Sequence, residues 1–237
     1  MKTASEIKKI LYGVILSDGS LDKNTMRFDF YSKHEEYARY IYDTLSQLTH
    51  ADFRMKETYD KRFGVTGYRV WSLKSKYLEK VYHTFYPLRG RKALSPYIVS
   101  RLDAQSLAHV WMCDGFLSHA KNHHKQKVQN IGWFCLESFP KEELQLFCDH
   151  LLSKWGITST ILKVRWGFGY RIRVGGENLQ KMISIMYPYI LDCFTYKAVL
   201  FYKRKDTALE LPSAEQYVCI YTTIEDIVRH PTKVGRT

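Results

Sequence analysis

Leu11-Tyr12-Gly13-Val14-Ile15-Leu16-Ser17-Asp18-Gly19 and Leu107-Ala108-His109-Val110-Trp111-Met112-Cys113-Asp114-Gly115 are two versions of one nine-residue segment. Each is an apolar stretch at helical spacing that runs into an Asp-Gly pair. Ile7, Leu11, Val14 and Ile15 fall on one helical stripe in the first, and Leu107, Val110 and Trp111 do so in the second. Gly13 and Ala108 are small enough to let two such helices approach closely. A lone Asp-Gly after a helix is an ordinary turn signal, with glycine serving the helix C-terminus. Two in register, with Asp18 and Asp114 separated by 96 residues, ask for a shared explanation.

The register extends outward from these segments. The two Gly-Tyr-Arg triplets, at Gly67 and Gly169, are 102 residues apart, and the Tyr-Pro pairs at Tyr86 and Tyr187 are 101 apart. Between these landmarks, period-2 and period-3.6 patterns alternate in the same order twice. In the first half the alternating stretches are 26–30, 52–58 and 67–71, with helices over 33–48 and 76–86. In the second they are 131–136, 160–166 and 169–174, with helices over 141–155 and 178–186. The expected fold is therefore α+β, built from two pseudo-twofold-related αββαββα units. The halves run 1–101 and 102–205, and 206–237 is an extension without a counterpart. Thr3 with Glu6 forms a capping box for the first motif helix, and Asp103 can cap the second.

Composition narrows the partners. The chain has 237 residues, 45% of them hydrophobic, enough for a sizeable core. Lys and Arg total 36 against 24 acids, a net charge of +12, alongside 18 Tyr, 12 Phe and 5 Trp. A basic, aromatic chain points to a polyanion. No apolar run reaches the roughly 18 to 20 residues that span a bilayer, and residues 1–10 lack the apolar stretch of a signal peptide. Five cysteines without CxxC spacing read as reduced thiols in an intracellular protein, in a bacterial, phage or organellar compartment.

Carboxylates at two helix C-termini face the negative ends of both helix dipoles, which costs energy unless a cation enters. A hard divalent ion such as magnesium suits Asp18 and Asp114, with water and phosphate completing its shell. Such a centre activates water and stabilises the leaving oxygen of a phosphodiester.

Alternation also divides each strand into two faces. Phe28 and Phe30 oppose Arg27, Asp29 and Tyr31, while Phe53 and Met55 oppose Arg54, Lys56 and Thr58. Arg69 and Trp71 share the polar face of the first half. In the second half Leu162 and Val164 oppose Lys163 and Arg165, and Ile172 and Val174 oppose Arg171 and Arg173. An apolar face on helices and a basic face outward suits a β-ribbon in a major groove. The stretch His119–Lys127 reads as a long basic loop that tracks a nucleic-acid backbone through Lys121 and Lys125. Its histidines lack partners at ligand spacing, so a metal site there is not expected.

The paired segments resemble the LAGLIDADG motif of homing endonucleases, in the subgroup where one polypeptide carries two copies. The first matches five of nine letters and the second four, and the resemblance spans residues 4–205. It implies motif helices packed at a pseudo-twofold axis, antiparallel sheets forming a DNA-binding saddle, and Asp18 and Asp114 as ligands of the catalytic metals. Gly13 and Gly19 are not side-chain ligands. Lys92 and Lys197 occupy the positions where the family often carries a basic residue near each metal. His109 stands where the family has a small residue, which predicts looser packing of the motif helices. The implied activity is that of a monomeric, magnesium-dependent, site-specific double-strand DNA endonuclease. It would cut across the minor groove of a long asymmetric site and leave short 3′ overhangs, with manganese substituting and calcium binding without cleavage. Two other functions share this fold: an intron RNA maturase, and a sequence-specific DNA-binding regulator that has lost cleavage. An intein is not expected, because no splicing-domain sequence flanks the motifs.

Overall fold

In the computed structural model, residues 1–61, 64–87, 90–122, 127–165, 167–201 and 220–221 are described. The chain divides into two compact units, 1–113 and 114–237. The helix of the second motif thus belongs to the first unit up to Cys113.

The first unit opens with α1, Ala4–Leu16. Its start is the expected capping box: Thr3 Oγ1 accepts from the Glu6 N–H at 3.2 Å, and Glu6 Oε2 accepts from the Thr3 N–H at 2.7 Å. Strands β1 (Ser20–Leu21) and β2 (Phe28–Ser32) follow, then α2 (Glu35–Leu45), β3 (Phe53–Asp60) and β4 (Val65–Ser72). Helices α3 (Lys76–Phe85), α4 (Pro96–Val99) and α5 (Ala104–Asp114) complete the helical layer. The sheet is antiparallel, in the order β1-β2-β4-β3. Phe28 and Phe30 point inward, meeting Phe53 and Tyr37 edge-on at 5.9 and 5.4 Å between ring centroids. Burial of each such side chain stabilises the fold by roughly 1.5–3 kcal/mol.

The second unit repeats the plan. Strands β5 (Gly115–Asn122) and β6 (Lys127–Phe134) precede α6 (Lys141–Trp155), then come β7 (Thr160–Lys163), β8 (Tyr170–Gly175) and α7 (Gly176–Met186). Its antiparallel sheet has the matching order β5-β6-β8-β7. Phe134, Ile172 and Val174 pack inward on Phe147, Leu144 and Leu151 of α6 and Leu179 and Met182 of α7, all buried. Helix α6 ends on Gly156 at φ 61°, the left-handed conformation that favours glycine after a helix. Two 3-10 turns, Tyr187–Tyr189 and Asp192–Lys197, lead to β9 (Leu200–Phe201), which pairs in parallel with β10 (Ile220–Tyr221). The rest of the 206–237 extension lies outside the described residues.

Four local expectations change. Residues 119–122 and 127 are strand rather than loop, with Asn122 paired to Lys127, and residues 123–126 lie outside the described residues. Arg27 sits in the turn before β2, where the Asp22 N–H donates to its carbonyl at 3.0 Å. Strand β7 is offset by one residue: Leu162, 40% exposed, lies opposite Arg171, while Lys163 lies opposite Tyr170. As an edge strand, β7 buries little, so its apolar letters do not mark the inner face.

The fourth change concerns His109, which does not loosen the motif helices. A Cβ on Gly13 of α1 would lie 2.4 Å from the Ser106 carbonyl oxygen and 2.8 Å from His109 Cβ on α5. The imidazole turns instead toward α2, stacking on Tyr37 and Tyr40 at 5.8 and 5.7 Å. Asp103 caps α5 as expected, accepting from the Ser106 N–H at 3.0 Å, and holds Lys9 of α1 at 2.8 Å.

Candidate functional site

Helix α1 stops where its own side chains and backbone turn back on it. Ser17 Oγ donates to the carbonyls of Gly13 and Val14 at 2.9 and 3.2 Å, and the Gly19 N–H donates to Val14 at 2.8 Å. Gly19 is needed for closeness, because a Cβ there would meet the Val14 oxygen at 2.8 Å. Between these ties Asp18 is exposed. Lys92, remote in sequence, delivers its ammonium to this end, where Nζ donates to the carbonyls of Ile15, Ser17 and Gly19 at 2.8, 2.6 and 2.9 Å. A cation there offsets the negative end of the helix dipole beside the Asp18 carboxylate.

In the second unit Asp114 is the last residue of α5 and is half-buried. Its carbonyl accepts from the Cys135 N–H at 2.8 Å, tying the motif end to the residue after β6. The Cys135 thiol is pushed up by burial; Arg171 and Lys197 act against that shift, and Glu137 and Asp114 add to it. Asp114 and Lys197 therefore both act electrostatically on Cys135. Lys197 Nζ lies 5.4 Å from the Phe194 ring.

The donor set suits a hard divalent ion. Each unit offers one motif carboxylate, Asp18 in the first and Asp114 in the second, and among the described residues no group of three or more His, Cys, Asp or Glu side chains forms a closed cage. Magnesium is commonly held in this way, by one or two carboxylates with water and substrate phosphate completing the shell.

The outer face of the first sheet carries Asp29, Tyr31, Arg54, Lys56, Thr58, Arg69 and Trp71, as the registers require. Arg69 Nε donates to both carboxylate oxygens of Asp29 at 2.9 and 3.0 Å, and its terminal nitrogen also reaches Asp29. Lys56 and Arg69 flank Trp71 at 5.7 and 6.0 Å. Arg54 lies 3.5 Å from Asp52. Tyr31 lies over Gly67, where a Cβ would come within 2.1 Å of its hydroxyl oxygen, and the hydroxyls of Tyr31 and Thr58 are buried without a hydrogen-bond partner among the described residues. Arg27 is exposed at the edge of this face.

On the second sheet Arg171 and Arg173 share the outer face with Leu162, Trp133 and Phe116. Arg171 Nε donates to Glu137 and its guanidinium lies 5.8 Å from the Phe116 ring. Trp133 stacks on Phe116 at 6.2 Å and its indole N–H donates to Ser118 at 3.0 Å. Lys163 and Arg165 are exposed, and the register sets Lys163 on the face opposite Arg171. Lys125 and the side chain of Lys121 lie outside the described residues. Phe116, Ser118, Trp133 and Glu137 were not among the candidate residues expected from sequence. Trp133 alternates with Phe134 and could have been found that way, whereas Glu137 lies beyond its strand and gives no periodic signal.

Two antiparallel four-stranded sheets, helices on their inner faces and an acid at the end of each motif helix define a duplicated α/β protein of the two-motif kind. Residues 8–182 match the sequence model of the LAGLIDADG DNA endonuclease family, and the chain belongs to that family. The fold matches the homing endonuclease I-WcaI bound to its DNA recognition sequence, with a TM-score of 0.68 at 19% identity, covering 83% of this chain and 87% of that one. I-DmoI in complex with DNA and Mn aligns at a TM-score of 0.47 and 14% identity, covering 78% and 98%. Full-length WhiA from Thermatoga maritima aligns at 0.48 and 13%, covering 78% and 56%. No curated protein matches in sequence. Among the described residues no helix is long and apolar enough to cross a membrane.

Proposed function

We propose that this protein is a site-specific double-strand DNA endonuclease that hydrolyses phosphodiester bonds with a divalent metal. It acts as a monomer on a long asymmetric duplex, cuts across the minor groove and leaves short 3′ overhangs. The observation that carries this reading is the Lys92 ammonium bound to three carbonyls at the motif-helix end, beside an exposed Asp18. A helix end used only as a turn has no need of a part-buried cation from a distant segment. Family membership and the basic outer faces of both sheets add support.

In this reading Asp18 and Asp114 hold magnesium, or manganese in its place, while calcium binds without cleavage. The metal supplies an activated water and charge stabilisation on the leaving oxygen. Lys92 holds the segment bearing Asp18 in position and limits its negative field. Lys197, which like Asp114 acts electrostatically on Cys135, supplies positive charge for the phosphate charge that develops in the second half. Arg69, Arg171, Arg173, Lys56 and Arg54 supply the cationic contacts of the two sheets, and arginine adds base reading in the major groove.

The test is incubation of the full chain with a randomised duplex library in magnesium, then in calcium. Discrete cutting at one sequence in magnesium, and retention of the same sequence uncut in calcium, are expected. Uncut DNA under both conditions, together with enhanced splicing of an intron RNA, would replace this reading with that of a maturase.

A further inference from the structure

The arginine of the Gly-Tyr-Arg triplet is held by a carboxylate in both units, yet the carboxylates come from unrelated places. Asp29 stands on β2, the strand beside Arg69, whereas Glu137 comes from the turn after β6. Each arginine also lies against an aromatic ring of its own sheet: Arg69 against Trp71 at 6.0 Å and Arg171 against Phe116 at 5.8 Å. The triplet glycines make room for these arrangements. A Cβ on Gly169 would meet the Glu137 carbonyl oxygen at 2.4 Å and its Cα at 2.9 Å, so only glycine lets the Glu137 segment lie this close to β8. Gly67 admits the ring of Tyr31, two residues beyond Asp29 on the same strand.

Stability alone is a poor explanation for a pair reached in two different ways, because ion pairs in contact with solvent contribute little to it. The side chains are 45% and 37% exposed in Arg69 and Asp29, and 36% and 27% in Arg171 and Glu137. A carboxylate on a face turned toward DNA also repels phosphate. What such a pair changes is how the arginine meets DNA. A loose guanidinium finds any phosphate and releases a counterion, which is sequence-independent binding. A guanidinium fixed at its Nε edge is neutralised toward the backbone and keeps a set direction for a base edge, and the carboxylate itself can accept from a cytosine amino group.

We propose that Asp29 and Glu137 are specificity-determining residues that hold Arg69 and Arg171 off the phosphate backbone, suppressing binding to non-cognate duplex. The proposal rests on the reading of both sheets as DNA-facing. It predicts that acids on a DNA-binding face improve discrimination while weakening overall attraction.

The test is the salt dependence of binding to a random-sequence duplex, in calcium, for the full chain and its Asp29→Asn and Glu137→Gln variants. The Glu35→Gln variant is the control, because the partners it frees are Arg39 on α2 and Tyr68, which lies on the face of β4 opposite Arg69. Each sheet variant should bind random duplex more tightly at low salt, with a log–log slope steeper by about 0.9, one added phosphate contact. Its preference for the selected site over random duplex should fall by roughly tenfold. The control should keep the wild-type slope. Slopes and preferences unchanged in the sheet variants, or matched by the control, would overturn the proposal while leaving DNA binding intact. A wild-type chain that binds no duplex would overturn the DNA-facing reading and this proposal with it.

Discussion

Lys92 Nζ lies 2.6 Å from the carbonyl oxygen of Ser17, the residue immediately before Asp18. The same ammonium serves Ile15 and Gly19, so one cation holds three carbonyls at the end of α1. Lys92→Met keeps the length of the side chain and removes all three bonds. Loss of charged hydrogen bonds at a partly buried site should cost about 1–3 kcal/mol, read as a lower urea midpoint with unchanged slope. DNA cleavage should fall further than stability accounts for, under conditions where the variant is fully folded. Full cleavage by a folded Lys92→Met chain would show that Lys92 is an ordinary structural cap.

Gly13→Ala tests the approach of α1 to α5. The added methyl group would sit 2.4 Å from the Ser106 carbonyl, a backbone atom that has to move. Overpacking of this kind should destabilise by roughly 1–3 kcal/mol in a denaturant titration. A variant as stable as wild type would mean that the helices part at little cost.

His109 predicts an acid limb in stability. Its ring is fully buried between Tyr37 and Tyr40 of α2, Tyr37 OH lies 2.9 Å from Nδ1, and Nε2 finds no partner among the described residues. Burial lowers its pKa from 6.5 to about 3, with Lys2 adding to the shift and Asp103 opposing it. The unfolded chain therefore takes up this proton near pH 6.5 and the folded chain only near pH 3. Between those values the unfolded state binds more protons, so stability falls with falling pH, by at most about 1.4 kcal/mol per pH unit. His109→Leu should flatten that stretch of the stability curve, and parallel curves for the two proteins would contradict the assignment.

Magnesium should raise the melting temperature of the wild type more than that of Asp18→Asn or Asp114→Asn. A ligand that binds only the folded state stabilises it by mass action, and removing a carboxylate ligand weakens that linkage. Equal shifts in all three proteins would mean that the aspartates do not bind the metal.

The helix starts were legible because capping is local: Thr3 with Glu6 and Asp103 with Ser106 are three residues apart. Helix α6 was legible to its last residue, since a 3.6-residue period meets Gly156. Strands β2, β4 and β8 announced themselves by an alternation that follows burial of one face. Strand β5 did not, because its sequence is polar and its partner is supplied by the β6 ladder. The Arg69–Asp29 pair depends on which strands neighbour each other, which alternation within one strand does not encode. Lys92 could be assigned to a motif helix only by the position of its segment in the repeat, and its three carbonyl partners are a tertiary fact.

The most direct measurement follows both strands of the selected duplex, end-labelled, in single-turnover cleavage with magnesium. The comparison is between the full chain and its Asp18→Asn, Asp114→Asn and doubly substituted forms, each shown to bind the duplex in calcium. The wild type should cut both strands with a short 3′ overhang, and each single variant should lose at least about a hundredfold in rate on at least one strand, as loss of a charge-stabilising group does. Cleavage of both strands at the wild-type rate by either single variant would contradict the account.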